Sequence, residues 1–86
     1  MDLNNNLPQK GEKYYHFKSV GGEDHLYEIV GLGAHTEKEE VLVIYKPLYT
    51  SEYLKEKGSE YFIRPLSNFV EYVDRDGYKG PRFFKA

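Results

Sequence analysis

Cysteine and tryptophan are absent from this 86-residue chain, and methionine occurs once. Without cysteine no disulfide can staple the fold, and no thiolate-ligated zinc or iron–sulfur centre can form. That suits a reducing compartment, and a cytoplasmic location is the expectation. No apolar run approaches the roughly 20 residues needed to span a bilayer, so no membrane partner is expected. The N-terminal run MDLNNNLPQK lacks a basic stretch followed by an apolar one, which argues against a secretory signal. A strong excess of one charge is also missing. Twelve Lys and Arg face 14 Asp and Glu, for a net charge of −2. An unselective nucleic-acid binder needs a basic surface, so nucleic acid is a disfavoured partner, although a selective single-strand site stays open.

What the chain has in quantity is tyrosine: nine Tyr beside five Phe. Tyrosine pairs an apolar ring with a polar tip and suits the rim of a core or pocket. A chain of this length makes one domain and buries roughly 60–65% of its unfolded surface, so each large ring weighs heavily in a small core. Charge is unevenly placed. Glu23, Asp24, Glu28, Glu37, Glu39 and Glu40 stand against Lys38 in residues 23–40, whereas Arg75, Lys79, Arg82 and Lys85 stand against Asp76 near the end. The plain reading is two solvated faces of opposite sign.

Residues 1–9 are polar, lack a period and read as a flexible lead-in; residues 10–86 form the domain. KYYHFKSV reads as a strand with Tyr15 and Phe17 on one face and Tyr14, His16 and Lys18 on the other. GGED signals a turn. HLYEIVGLGAH is a second strand in which Gly31 and Gly33 call for a bulge or sharp bend. After the charged loop TEKEE, VLVIYKP is the most β-branched run and reads as a central strand ended near Pro47. TSEYLKEKG carries a Thr or Ser cap, Glu52 early, Lys55 and Lys57 late and Gly58 as a stop, the marks of a short helix. It is too short to stand alone, so Tyr53 or Leu54 must dock it. EYFIRP is a fourth strand ended by Pro65. LSNFVEYV opens with a one-turn helix capped by Ser67 or Asn68 and runs into a fifth strand. DRDG is a hairpin turn, and PRFFK is the last strand, with Pro81 at its edge-compatible start. Short strands with turn signals every 8–12 residues predict a mainly β fold. The expected form is a small, strongly bent antiparallel barrel with a helix between strands three and four, SH3-like first and OB-like second.

The runs YYHFK, LYEIVGLGAHTE, VIYKPLY, FIRPLSNFVE and GPRF, in this order over residues 11–84, resemble a small bacterial family catalogued as domain of unknown function number 1653. Family motifs are matched by Tyr14, His16, Phe17 and Lys18; by His35, Thr36 and Glu37; by Tyr45, Leu48 and Tyr49; by Phe62, Arg64 and Pro65; and by Pro81, Arg82 and Phe83. The chain departs from the family in a stretched turn, SVGGEDH, and in a longer segment between Tyr49 and Tyr61. Where relatives carry Trp before the Arg, it has Phe62 and Ile63. The resemblance implies no activity, substrate or cofactor.

The polar members of those motifs are His16, His35, Glu37, Tyr45, Tyr49 and Arg64. They come from separate strands and loops that a barrel can gather, and convergent polar groups among aromatics make a ligand pocket. Arg64 alternates with Ile63. If Ile63 faces the core, Arg64 faces solvent or a cleft, where it can hold a carboxylate or phosphate in bidentate fashion; the plainer alternative is an ion pair with Glu37 or another acid. His16 and His35 could act as base and acid on a phosphodiester, or each could simply bond backbone at a turn. With His25 they lack ligand-type spacing, so no metal or other cofactor is expected. Tyr45, Tyr49 and Tyr53 could stack a base or pack the helix rim. DGYKGPRFFK mixes basic and aromatic residues, a weak single-strand signal in an acidic chain.

Three functions follow. The first is a non-enzymatic binding module for a small anionic or nucleotide-like ligand, with Arg64 as anchor and Tyr45, Tyr49 and His35 as walls. The second is an adaptor that uses a sheet edge or an aromatic patch to bind another protein or itself. The third is a phosphodiester hydrolase using His16 and His35.

Overall fold

Residues 7–18 and 26–86 are described by the computed structural model. The first six residues of the lead-in and the stretch 19–25, with the GGED turn and His25, lie outside the described residues. In chain order the elements are β1 (Lys13–His16), β2 (Leu26–Ala34), β3 (Val41–Pro47), α1 (Glu52–Lys57), β4 (Phe62–Pro65), α2 (Leu66–Phe69), β5 (Tyr72–Arg75), β6 (Tyr78–Pro81) and β7 (Phe83–Lys85). No helix among the described residues is long and apolar enough to cross a membrane.

The fold is mainly β, as the strand spacing predicts. One antiparallel sheet runs β4-β3-β2-β1-β7, and β5 and β6 form a separate hairpin. The main sheet is not closed, because β4 and β7 remain its two edges. It is nevertheless strongly curled. Three strand spacings separate β3 from β7, about 14 Å in a flat sheet, yet the rings of Tyr45 and Phe83 are 5.6 Å apart. The curl starts where the sequence places it. The β2–β3 register shifts between Ile29 and Gly31, and a residue left out of the ladder bends the strand.

Inside the curl lie Tyr27, Ile29, Val43, Tyr45, Phe69 and Phe83, all buried, with Tyr14, Tyr49, Phe62 and Leu66 packed against them. Phe69 stacks on Phe83 at 4.1 Å and 5°, so α2 plugs the curl with one ring. Each such side chain contributes about 1.5–3 kcal/mol by leaving water.

Local signals act as their chemistry demands. Ser51 Oγ accepts from the Leu54 amide at 3.3 Å, Gly58 takes φ 66°, and Leu54 docks α1. Asp76 and Gly77, at φ 53° and 81°, supply the two positive angles of a tight type I′ hairpin turn. Two expectations are corrected. Neither Ser67 nor Asn68 caps α2; its N-cap is Pro65, without a side-chain bond. The final run is not one strand either. Pro81 ends β6, Arg82 leaves the ladder, and β7 starts at Phe83. The Arg82 amide donates to the Glu71 carbonyl and its own carbonyl accepts from the Phe17 amide. That residue therefore carries the chain from the hairpin to the main sheet.

Candidate functional site

The side of the sheet on which Arg64 lies is fixed by register. Val43 pairs with Arg64, Ile44 with Ile63, and Tyr45 with Phe62. Directly opposed residues share a face. Val43 is fully buried, so Arg64 and Phe62 point into the curl, while Ile63 is turned outward and 61% exposed. The alternation expected for β4 holds, but its parity is the reverse of the one that would put Ile63 in the core.

Inside the curl the guanidinium is held on three sides. Arg64 Nε donates to the Tyr45 hydroxyl at 3.1 Å and Nη1 donates to Asn68 Oδ1 at 2.6 Å. Its Cζ lies 5.2 Å from the centre of the Phe83 ring. The position spans the seam between the two edge strands. No carboxylate of the described residues lies within 4.0 Å of it; the ion pairs there join Lys55 to Glu52, Arg82 to Glu71 and Lys85 to Glu12. The alternative of a pairing with Glu37 is therefore not realised. A guanidinium offers five N–H donors, and Nη2 has no hydrogen-bond partner among the described residues. Since no partnerless side-chain nitrogen there is buried, Nη2 reaches solvent.

Tyr45 leads from Arg64 to a second polar pair. Its ring meets Tyr27 edge-on at 5.3 Å, and the hydroxyls of Tyr27 and Tyr49 lie 2.9 Å apart. Burial, and next the bond to Tyr49, pushes the Tyr27 phenol well above the ordinary tyrosine range. Arg64, Tyr45 and Tyr49 are thus joined through Tyr27.

The remaining candidates stand elsewhere. His35 follows β2, and its Nδ1 accepts from the amides of Glu37 at 3.0 Å and Lys38 at 3.2 Å. It ties off the β2–β3 turn, with Glu37 exposed beside it. His16 closes β1, where its Nδ1 accepts from the Lys18 amide at 3.1 Å and its ring rests edge-on against Phe83. The two imidazoles serve separate turns, His16 beside the start of β2 and His35 beyond its far end. Three participants had no signal of their own in the sequence. Tyr27 reads as one more core tyrosine, Asn68 as a helix cap, and Phe83 as a strand residue; only cross-strand register and the position of α2 make them a cage.

Residues 12–85 match the family model described as "Protein of unknown function (DUF1653)". The chain belongs to this family. No curated protein and no solved structure matches it. The family match runs from the residue before β1 to the end of β7, so it covers the whole curled sheet. Within this member of the family, three runs far apart in sequence meet at one point: Tyr45, Arg64 and Phe83.

Among the described residues are two cavities. One, of about 420 Å³, lies among Pro8, Tyr14, Phe69, Val70, Pro81 and Phe83. The other, of about 340 Å³, lies under α1 and has Tyr49 on its wall. Arg64, Tyr45 and His35 line neither.

Proposed function

We propose that this domain is a non-enzymatic binding module in which Arg64 receives the anionic group of a small ligand. The observation that carries the reading is the Arg64 charge, which no carboxylate of the described residues neutralises and which Tyr45, Asn68 and Phe83 hold in place, with Nη2 open among those residues. A cation held in place before binding loses little freedom when an anion arrives, and a guanidinium suits carboxylate or phosphate oxygens better than an ammonium does. A nucleotide or a small carboxylate fits this chemistry. The strand order, with β7 beside β1, supports an SH3-like reading of the fold. The absence of cysteine and the family resemblance support a bacterial, cytoplasmic setting.

Thermal melting of wild type and Arg64→Ala with orthophosphate and acetate tests the reading. A ligand that binds only the folded state at 100 times its Kd stabilises by about 2.7 kcal/mol, a rise of several degrees in a domain of this size. The rise is expected in wild type and absent in Arg64→Ala. An equal rise in both proteins, or none in wild type with any anion, overturns it.

The adaptor reading rests on a different observation. Ile63 is 61% exposed on β4, an edge strand, with Tyr61 44% exposed just before it. An open edge with an apolar side chain is a template for a further strand. Self-association of wild type that Ile63→Lys abolishes would favour it; a monomer that binds no extended peptide counts against it. The hydrolase reading draws no support from this geometry, because Nδ1 of both His16 and His35 is committed to backbone amides.

A further inference from the structure

Among the described residues, the cavity beneath α1 is walled by one stretch of chain, residues 46–61, where the strand ends at Pro47 and the short helix folds back. Buried Leu54 and the Tyr49 ring give it apolar walls, and Tyr61 stands at the far end. Several of its hydroxyls are already committed. Ser51 Oγ caps α1 by accepting from Leu54. Ser59 Oγ donates to the Tyr61 carbonyl and accepts from its amide. The Tyr49 hydroxyl meets that of Tyr27.

Beside the hydroxyls of Thr50 and Tyr61, two ammonium groups on this wall can recognise an anionic ligand. Lys46 sits opposite Glu28 in the β2–β3 register, yet no carboxylate of the described residues is within ion-pair distance of it. Lys55 has only Glu52, at 4.0 Å with both side chains well exposed, and such a contact is worth little. The wall holds one acid, Glu60, against these two lysines. The volume, about 340 Å³, lies at the small end of ligand pockets.

We propose that this cavity is a second ligand site, distinct from Arg64, for a small ring-bearing anion. The ring lies against Tyr49, Leu54 and Tyr61, and the carboxylate or phosphate lies between Lys46 and Lys55. The proposal does not depend on Arg64, which is not on the cavity wall.

Amide NMR of the full chain, titrated separately with benzoate, adenosine monophosphate and orthophosphate, tests it. Saturable shifts within residues 46–61, separable from any at Arg64, are expected with benzoate or the nucleotide, at a midpoint at least about tenfold below that for orthophosphate in the same segment, since the ring adds contact energy. Benzoate and the nucleotide distinguish a carboxylate site from a phosphate site. The double variant Lys46→Ala/Lys55→Ala should weaken binding at least about tenfold, as should Lys46→Gln/Lys55→Gln, which keeps the side-chain bulk and guards against a folding defect. Arg64→Ala should leave the midpoint within about twofold. Four results would overturn the proposal: no saturable shift in 46–61, orthophosphate shifting 46–61 at as low a midpoint as the ring compounds, undiminished shifts there in both lysine variants, or their loss in Arg64→Ala.

Discussion

The two flanks of α2 each hold an arginine, and both arginines reach Asn68. On the β7 side, Arg82 Nε donates to the Asn68 backbone carbonyl at 3.1 Å and its Nη2 pairs with Glu71. On the β4 side, Arg64 donates to the Asn68 side chain and to Tyr45, with no acid among the described residues to answer its charge. Arg82 therefore reads as structure: it locks the crossing from the hairpin to β7 and is neutralised where it stands. Arg64 is as firmly held but is neutralised by none of the described residues. Burying a charge without a counter-ion costs free energy that the Phe83 ring face offsets only in part, and a ligand anion would recover the rest. A cation in a small core thus reads as functional or structural by what completes its charge, more than by its burial.

Removing the ring that supports both flanks should have the largest effect. Phe69 is 2% exposed and stacks on Phe83, the ring beneath Arg64. Phe69→Ala should cost about 3–5 kcal/mol, read as a lower denaturant midpoint, and should loosen both arginines together. A loss below about 1 kcal/mol would mean that α2 does not plug the curl.

The next effect separates the flanks. Arg82→Ala and Arg64→Ala should each cost about 1–3 kcal/mol, because each leaves polar partners unmet. Their response to added anion should differ: the benefit of orthophosphate or acetate disappears in Arg64→Ala and persists in Arg82→Ala. Asn68→Ala sharpens the contrast. It deletes the Arg64 contact but keeps the backbone carbonyl used by Arg82, so it should cost about 1 kcal/mol and weaken anion stabilisation alone.

A smaller effect comes from pH. Burial, then the charge of Glu12, pushes the Tyr14 phenol up to about 12, and burial raises Tyr27 as well. The folded state thus favours neutral phenols. Their contribution is complete below the unfolded tyrosine value of about 10 and is lost as pH rises from there through about 12. The unfolding midpoint should fall across that window; a flat profile would show that these rings are not sequestered. At the acid end, Lys85 holds the Glu12 carboxyl below its ordinary value of 4.5. A slighter loss is expected as pH falls below that value, because Glu12 sits near the surface.

The sequence discloses these features unevenly, for physical reasons. Local chemistry was legible: Ser51 and Gly58 bound α1, Asp76-Gly77 makes the hairpin, Gly31 marks the bend, and Pro47 and Pro65 close their strands. Parity in β4 was not. Tyr61, Phe62, Ile63 and Arg64 put an apolar residue on each face, so only pairing with Val43 decides that Arg64 turns inward. The break at Arg82 was hidden too, because the pull on its backbone comes from Glu71 and Phe17, remote in sequence or across the sheet. His35 shows the same limit in reverse. In sequence it reads as site chemistry beside Glu37 and Tyr45; in the fold its Nδ1 accepts from the amides of its own neighbours.

The most direct test of Arg64 as an anion anchor is nitrogen-detected NMR of the arginine guanidinium groups during an orthophosphate titration. Arg82, paired with Glu71 on the other flank of α2, is the internal control. Saturable movement of the Arg64 Nη signals while those of Arg82 stay still is the predicted result. Equal drift of both groups, or no movement of Arg64 at any concentration, would contradict it and leave Arg64 as one more structural contact of the curled sheet.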